Sequence, residues 1–451
     1  MHEFTDETEA LAHAIEAYAH NRIASPQPLD RPMPAEELSA QAGETITAGG
    51  IGGEEALRIW ADVLAPATIS TDHPAALAFV PGSPTKASVL FDLIVGSSST
   101  IAAGWIDGAG AIWAENEALR WVASLAGLPR GAGGCFVSGG SAGNLSALVT
   151  ARHTAERRRE GRPARWRFAA CDTVHSSVTA AARVMDADVL SVSSDERGRL
   201  TGEALGRALD EDWNGDDIFA VVASAGATNA GTVDDLAGVA EVCAERALWF
   251  HVDAAYGGGG LLAPSVRGSF DGIERADSFI VDPHKWLFAP YDACALLYRE
   301  PRLALETHRQ KASYLETVND LPDWNPADYA YHLSRRPRGL PLWFSLATYG
   351  TDAYQEAVEA VLLITRRTAD AIRSRRELEL IMEPELSVVL FRRLGWTNEE
   401  YEAWWRRLLD EQVAFVQPTT WRGEKVARLC FLNPRTTMEH VGAILDTMAV
   451  A

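Results

Sequence analysis

SFIVDPHKWLFAPYDACALLY, residues 278–298, sets one lysine, Lys285, between two apolar runs that both read as buried strands. Phe279, Ile280 and Val281 form a short β-branched and aromatic run before it, and residues 294–298 form another after it. The Asp282-Pro283 pair breaks the first run, which places Lys285 just past the C-terminal end of a strand. Open α/β sheets bind their ligands there. A lysine partly desolvated in that position is expected to have a lowered pKa and to serve as an amine nucleophile, which suits Schiff-base chemistry with an aldehyde cofactor. A lysine that snorkels to solvent or forms an ion pair is the other reading of the same stretch.

Outward from this stretch, short apolar runs recur at residues 135–137, 167–171, 189–192, 218–223, 249–252, 278–281 and 293–298. Most are separated by segments of helical length. Such alternation predicts an α/β fold with a mostly parallel seven-stranded sheet covered by helices on both faces. Upstream, the spacing of Leu11, Ile15 and Tyr18 predicts a first helix, and the proline-rich SPQPLDRPMP (25–34) an extended arm. Residues 54–64, 88–100 and 115–128 read as further helices. Past Pro341 a long helix over 343–374, strands at 386–392 and 426–432, and helices at 398–414 and 437–448 predict a small α+β lobe. The division expected is an N-terminal helical segment and arm (1–85), a large domain (86–340) and a small C-terminal domain (341–451). The N-terminal segment cannot make a core alone, so it is expected to pack on the main domain or on a second subunit.

The chain has 451 residues, 47% of them hydrophobic, enough for a large core and more than one domain. Its formal charge of -21 argues against nucleic-acid or anionic-membrane partners, which it would repel. It lacks an uninterrupted apolar stretch of about 18 residues, and residues 1–30 lack a charged-then-apolar signal pattern; a soluble, cytoplasmic protein is expected. Cys135, Cys171, Cys243, Cys294 and Cys430 are odd in number and far apart, which suggests reduced core residues and neither a disulfide framework nor a metal site.

Four further signals fall at predicted strand ends. FVSGGSAGN (136–144) joins a strand to a helix; its glycines and free N–H groups make an anion site, and Ser141 adds a hydroxyl. HVDAAY (251–256) ends a strand with Asp253 and Ala255 on one side, so the carboxylate can pair with a ring nitrogen while the alanine packs against the ring. A capping role for Asp253 stays open. The 31 residues between Asp253 and Lys285 suffice for one crossover, which puts the two on neighbouring strands. DTVHSS (172–177) offers His175 as a stacking residue or a cap, and AGATNAGT (225–232) forms a Gly- and Thr-rich turn.

Taken as a set, DPHKW (282–286), HVDAAYGG (251–258), VHSS (174–177) and RLCFLNPRTT (428–437) resemble the pyridoxal-phosphate enzymes of fold type I. More narrowly they resemble the group II amino-acid decarboxylases, the aromatic-L-amino-acid and glutamate decarboxylase family, over roughly residues 55–450. The resemblance implies a pyridoxal 5'-phosphate cofactor with Lys285 as its Schiff-base lysine and Asp253 on the pyridinium nitrogen. It implies His175 stacked on one face of the ring and Ala255 on the other. Gly140, Ser141 and Asp282 would lie at the phosphate, Thr228 near Asp253 and the ring, and His284 in the same cofactor site. Some relatives carry asparagine at the position of Asp282; an acid there repels a phosphate unless its backbone does the binding.

By the same resemblance, the loop Phe79-Val80-Pro81-Gly82 and Trp105 line the substrate side-chain pocket. Phe79, Pro81 and Trp105 fit an apolar wall, whereas Val80 and Gly82 depart from the aromatic-specific relatives. Arg428, or the Arg335-Arg336 pair, would receive an acidic side chain or the α-carboxylate. Residues 307–325, long and polar, read as a mobile lid in which Tyr314 returns a proton to Cα once CO2 has left. The implied activity is decarboxylation of an L-amino acid with an aromatic or medium apolar side chain, by a homodimer with active sites at the interface. The alternatives are decarboxylation of glutamate, aspartate or 2,4-diaminobutyrate, another fold type I activity (aminotransferase or desulfurase), and a non-catalytic cofactor-binding protein.

Overall fold

The computed structural model describes residues 2–159, 162–212, 217–310 and 324–449. Tyr314 lies outside the described residues. Among the described residues five α-helices precede the sheet: α1 (Asp6–Ala24), α2 (Ala35–Ala42), α3 (Gly53–Ile59), α4 (Lys86–Ser97) and α5 (Trp105–Leu125). The sheet contains β1 (Gly133–Val137), β2 (Arg167–Cys171), β3 (Asp188–Val192), β4 (Ile218–Ser224), β5 (Trp249–Asp253), β6 (Ser278–Val281) and β7 (Cys294–Tyr298). Between them run α6 (Gly140–Arg158), α7 (Ser176–Val184), α8 (Gly202–Glu211) and α9 (Leu236–Glu245), and α10 (Pro301–His308) follows β7.

The strand order is β1-β7-β6-β5-β4-β2-β3. β3, β2, β4, β5 and β6 run parallel, as their helical crossovers require. β7 is antiparallel to both β6 and β1, because only residues 282–293 separate it from β6 and no crossover helix fits in that length. Strands β4 to β7 are buried at every position, which is why their sequences run apolar without alternation. Successive β4 residues feed opposite faces: Val221 and Ala223 pack in the core with Val122, Leu205 and Val239, whereas Ala220 and Val222 pack with Leu148 and Val178.

Asp253 pairs with Ile280 across the parallel β5–β6 ladder, so Asp253 and the Lys285 turn lie on neighbouring strands as the crossover length predicted. β1 approaches β7 so closely that a Cβ on Gly134 would collide with the Leu296 carbonyl, and only glycine fits there.

A second, antiparallel sheet of order β10-β11-β9-β8 is built from β8 (Leu378–Leu380), β9 (Val388–Arg393), β10 (Thr419–Trp421) and β11 (Glu424–Cys430). Helices α11 (Leu340–Arg373), α12 (Asn398–Asp410) and α13 (Met438–Asp446) accompany it. β8 and β10 went unread in the sequence because three residues are too few to show a period. Helix α5 starts at Trp105, well before the predicted position 115, because the Asp107 carboxylate accepts the Gly104 N–H at 3.3 Å; the helix kinks at Gly108. No helix among the described residues is long and apolar enough to cross a membrane.

Burial holds three histidines neutral, His251, His308 and His332, each with its pKa pushed down to about 4. Unfolding frees them to bind protons near pH 6.5. Their contribution to stability is therefore full above pH 6.5 and lost as pH falls toward 4. Buried Asp234, pushed up to about 7, works in the opposite direction, one group against three. Calorimetry should show the melting temperature falling between pH 6.5 and 4, and His308→Gln should flatten part of that fall.

Candidate active site

The C-terminal ends of the parallel strands open onto a cleft with about 480 Å3 of free space, solvent included. Gly140, Ser141, His175, Thr228, Asp253, Ala255, Asp282 and Lys285 all line it, although they come from five separate strand ends. His284 stands just behind. Its Nε2 is 3.7 Å from Asp282 Oδ2, and its Nδ1 is held by the Ala293 backbone, 2.7 Å from the carbonyl.

Lys285 follows the turn closed by its own N–H to the Asp282 carbonyl at 2.9 Å. The Asp282 N–H in turn bonds the Ala255 carbonyl at 3.0 Å, which ties the β6 end to the β5 end. Lys285 Nζ lies 2.9 Å from Asp282 Oδ2, whose side chain is 3% exposed. Burial pulls the lysine pKa down, yet the charge of Asp282 and the hydrogen bond to it, helped by Asp253, outweigh burial and hold it above the ordinary lysine value. The expected lowering is thus corrected. The sequence showed the desolvation but not how close the carboxylate three residues earlier would fold back.

Asp253 ends β5 with both carboxylate oxygens engaged: Oδ1 accepts the Ala255 N–H at 3.0 Å and Oδ2 accepts an Asn144 Nδ2 N–H at 2.7 Å. Ala255 packs against Gly140, where an added Cβ would stand 3.2 Å from both the alanine methyl and Asp282 Oδ2. Gly140 begins α6, and no side chain caps that helix, so its first N–H groups face the cleft with the positive end of the helix dipole. His175 caps α7, its Nδ1 accepting the Ser177 N–H at 3.2 Å. Thr228 sits in the turn after β4, which Gly226 makes possible with a φ of 112°.

The proposed substrate residues lie apart from this cleft wall. Arg428, 4% exposed, directs N–H groups at three backbone carbonyls: Phe79 at 2.7 Å, Thr228 at 2.6 Å and Asn229 at 3.2 Å. Arg335 is buried against Glu115 at 2.7 Å, and Arg336 pairs with Asp92 at 2.8 Å. Phe79 is 63% exposed with a φ of 53°, and Pro81 is buried beside it. Their loop docks on the lysine turn at Gly82, where a Cβ would come within 2.7 Å of the His284 carbonyl. Trp105 opens α5, its N–H bonded to Asn325 Oδ1 at 2.8 Å. Sequence reasoning did not single out Asn144 or Ser177, which also line the cleft. Their one signal was polar residues on helix faces that otherwise carry Leu148 and Val178 into the core.

Fold and site together define an α/β enzyme of fold type I, with a lysine, a paired carboxylate and an uncapped helix start converging on one cleft. Residues 54–394 match the family model for the pyridoxal-dependent decarboxylase conserved domain. The chain belongs to that family and is a pyridoxal-phosphate-dependent amino-acid decarboxylase. It is 31% identical to an aromatic-L-amino-acid decarboxylase of Bacillus atrophaeus, over 93% of this chain and 89% of that protein. It is 30% identical to an L-2,4-diaminobutyrate decarboxylase of Rhizobium meliloti (strain 1021), over 83% of this chain and 77% of the relative. The crystal structure of Oryza sativa TDC with PLP and tryptamine superposes with a TM-score of 0.89 at 25% identity, covering 98% of each chain.

The cleft fits that cofactor on its own terms: an amine, a carboxylate held by two N–H groups, an uncapped helix start, and a floor that a Cβ at Gly140 would crowd. Asp282 Oδ1 is buried without a hydrogen-bond partner, but the charge of that carboxylate is offset by Lys285. If Asp282 controls the amine, Asp282→Asn should shift the reactivity of Lys285 to lower pH. The rate at which the cofactor-free full-length chain captures pyridoxal phosphate, followed against pH, measures this; an unshifted profile would show that burial alone governs the lysine.

Proposed function

We propose that this decarboxylase acts on an L-amino acid with an aromatic or medium-sized apolar side chain. The observation that carries this reading is the state of the arginines. Arg428 is engaged with backbone carbonyls, and Arg335 with Glu115, leaving the exposed Phe79 ring to meet the substrate beside Pro81. Phe79 packs edge-on against Phe415 at 5.8 Å, and the Arg428 bond to its carbonyl steadies its left-handed backbone. The likeness to the aromatic-L-amino-acid decarboxylase of Bacillus atrophaeus points the same way.

When bound, pyridoxal phosphate supplies an electron sink for the charge left at Cα. Lys285 would hold its aldehyde carbon, and Asp253, fixed by Asn144 and the Ala255 N–H, would accept the ring N–H. The start of α6 with Ser141 would hold the phosphate, and His175 and Ala255 would enclose the ring. Tyr314 would deliver the proton to Cα after CO2 departs. Release of CO2 measured over the twenty amino acids should favour aromatic or medium apolar substrates; preference for glutamate or aspartate refutes the apolar pocket. Lys285→Ala should abolish release. Tyr314→Phe should cut amine formation about a hundredfold or more, while in air dioxygen takes up the two electrons and some aldehyde, ammonia and hydrogen peroxide appear instead; amine at the parent rate removes Tyr314 from the role.

We infer further that the chain forms a homodimer. Leu90, Leu93 and Ile94 on α4 are 50%, 54% and 53% exposed, and Ile106 and Trp113 on α5 are 59% and 51% exposed. An apolar face of this kind is covered in solution, and twofold pairing is the commonest way. Trp105, beside Ile106, lines no part of its own chain's cleft and on this reading serves the neighbouring site. The five cysteines are free and buried, as suits a reducing cytoplasmic setting. Light scattering should give a dimer at micromolar concentration and a shift toward monomer for Leu93→Asp; a monomeric parent chain overturns the inference.

A further inference from the structure

Behind the cleft runs a buried chain of hydrogen bonds whose donors and acceptors can be assigned one after another. Trp249 Nε1 lies 2.8 Å from Ser278 Oγ. An indole N–H can only donate, so Ser278 accepts there; at the other end the Asp253 carboxylate can only accept, which sets Asn144 Oδ1 against His251 Nε2 and leaves His251 Nδ1 to take the Ser278 proton, 2.8 Å away. His251 is fully buried and neutral, its pKa pushed down to about 4 by burial, so it carries one N–H. With Nδ1 accepting, that N–H sits on Nε2 and donates to Asn144 Oδ1 at 2.8 Å.

The Asn144 amide, 1% exposed, then has its oxygen committed and both Nδ2 protons free to donate. One goes to Asp253 Oδ2 at 2.7 Å and the other to Ser177 Oγ at 3.0 Å. The flipped amide would set its oxygen against a carboxylate and its NH2 against the His251 N–H. Ser177, having accepted, turns its proton to His175 Nδ1 at 2.8 Å, the same nitrogen that receives the Ser177 backbone N–H. His175 is left with its proton on Nε2.

We propose that Asn144 is a positioning residue for this decarboxylase. Backed by His251, Ser278 and Trp249, it orients the Asp253 carboxylate toward the cofactor ring and fixes the tautomer of His175 at the same time. The inference rests on the assignment of Asp253 to the ring nitrogen. His251, Ser278 and Trp249 do not line the cleft, so their effect passes through Asn144 and the side chains it holds. A single polarity along the chain explains why helix α6 buries an asparagine and why strand β5 buries a histidine.

Three full-length variants test this: Asn144→Ala, Ser278→Ala and Asp253→Ala. The readouts are the dissociation constant of pyridoxal phosphate, the 15N signal of a ring-labelled cofactor, kcat and KM, and the melting temperature. Asn144→Ala should raise the dissociation constant roughly tenfold or more, move the ring-nitrogen signal toward the unprotonated form, and lower kcat with little change in KM. Ser278→Ala removes no group near the cofactor, yet frees His251 to place its proton on Nδ1 and should shift the same readouts in the same direction by a smaller factor. A Ser278→Ala protein that melts below the parent but keeps the parent ring-nitrogen signal and cofactor affinity would show a merely structural role and overturn the proposal. So would an Asn144→Ala protein within twofold of the parent in affinity and unchanged in signal. Should Asn144→Ala fail to fold, Ser278→Ala decides. Asp253→Ala separates the two layers: if it too leaves the ring-nitrogen signal unchanged, the assignment of Asp253 fails; if it alone moves the signal, the relay fails.

Discussion

A lysine ammonium 2.9 Å from a carboxylate that is almost wholly buried is the contact around which the structure is arranged. Two such charges are tolerated away from water only as a pair, and removing one partner of a buried pair costs about 3–5 kcal/mol. The pair forms because Asp282-Pro283 stops β6 and the chain turns back on itself within three residues. The neighbouring β5 end is bound to that turn by the Asp282 N–H, which ties the two strand ends together. The ion pair also sets the chemistry. An amine held protonated by its neighbour becomes a nucleophile only when that proton is passed on, and Asp282 is the nearest base to take it.

The second sheet reaches the same place by polar ties. Arg428 on β11 holds the carbonyls of Thr228 and Asn229 in the turn after β4, as well as Phe79 in the loop that docks on the lysine turn. Glu385 accepts the Val233 N–H at 2.9 Å and pairs with Arg197 at 2.8 Å, and the Tyr256 hydroxyl bonds Ser387. These ties join Phe79, Arg197 and the segments near residues 230 and 256 to segments beyond residue 380. The cleft is therefore shaped by both sheets, although the described residues that line it come from the strand ends, turns and helix starts of the large sheet's segment. Arg428 illustrates how a cation near an active site acts at one remove, holding the loop that presents an aromatic ring.

Much of the architecture was readable from local pattern. The apolar runs at 167–171, 218–223 and 278–281 announced strands because both faces of those strands are covered, and unbroken burial leaves an unbroken apolar sequence. The glycines before α6 and the Asp-Pro break before Lys285 located two turns that line the cleft. Other features were invisible to the same reasoning. The early start of α5 depends on Asp107 folding back on Gly104, and β8 and β10 exist because β9 and β11 offer them edges.

The amino-acid sequence by itself determined the class of fold, the lysine, the carboxylate at the end of β5 and the family, because each rests on residue types at short spacing or in a fixed order. Only the tertiary structure decided what those residues do to one another. The raised pKa of Lys285, the engagement of Arg428 and Arg335, and the alignment of Trp249, Ser278, His251, Asn144 and Asp253 come from distances between separate elements. Electrostatic and hydrogen-bond energies change steeply over an ångström once water is excluded, and sequence spacing does not specify an ångström across a sheet.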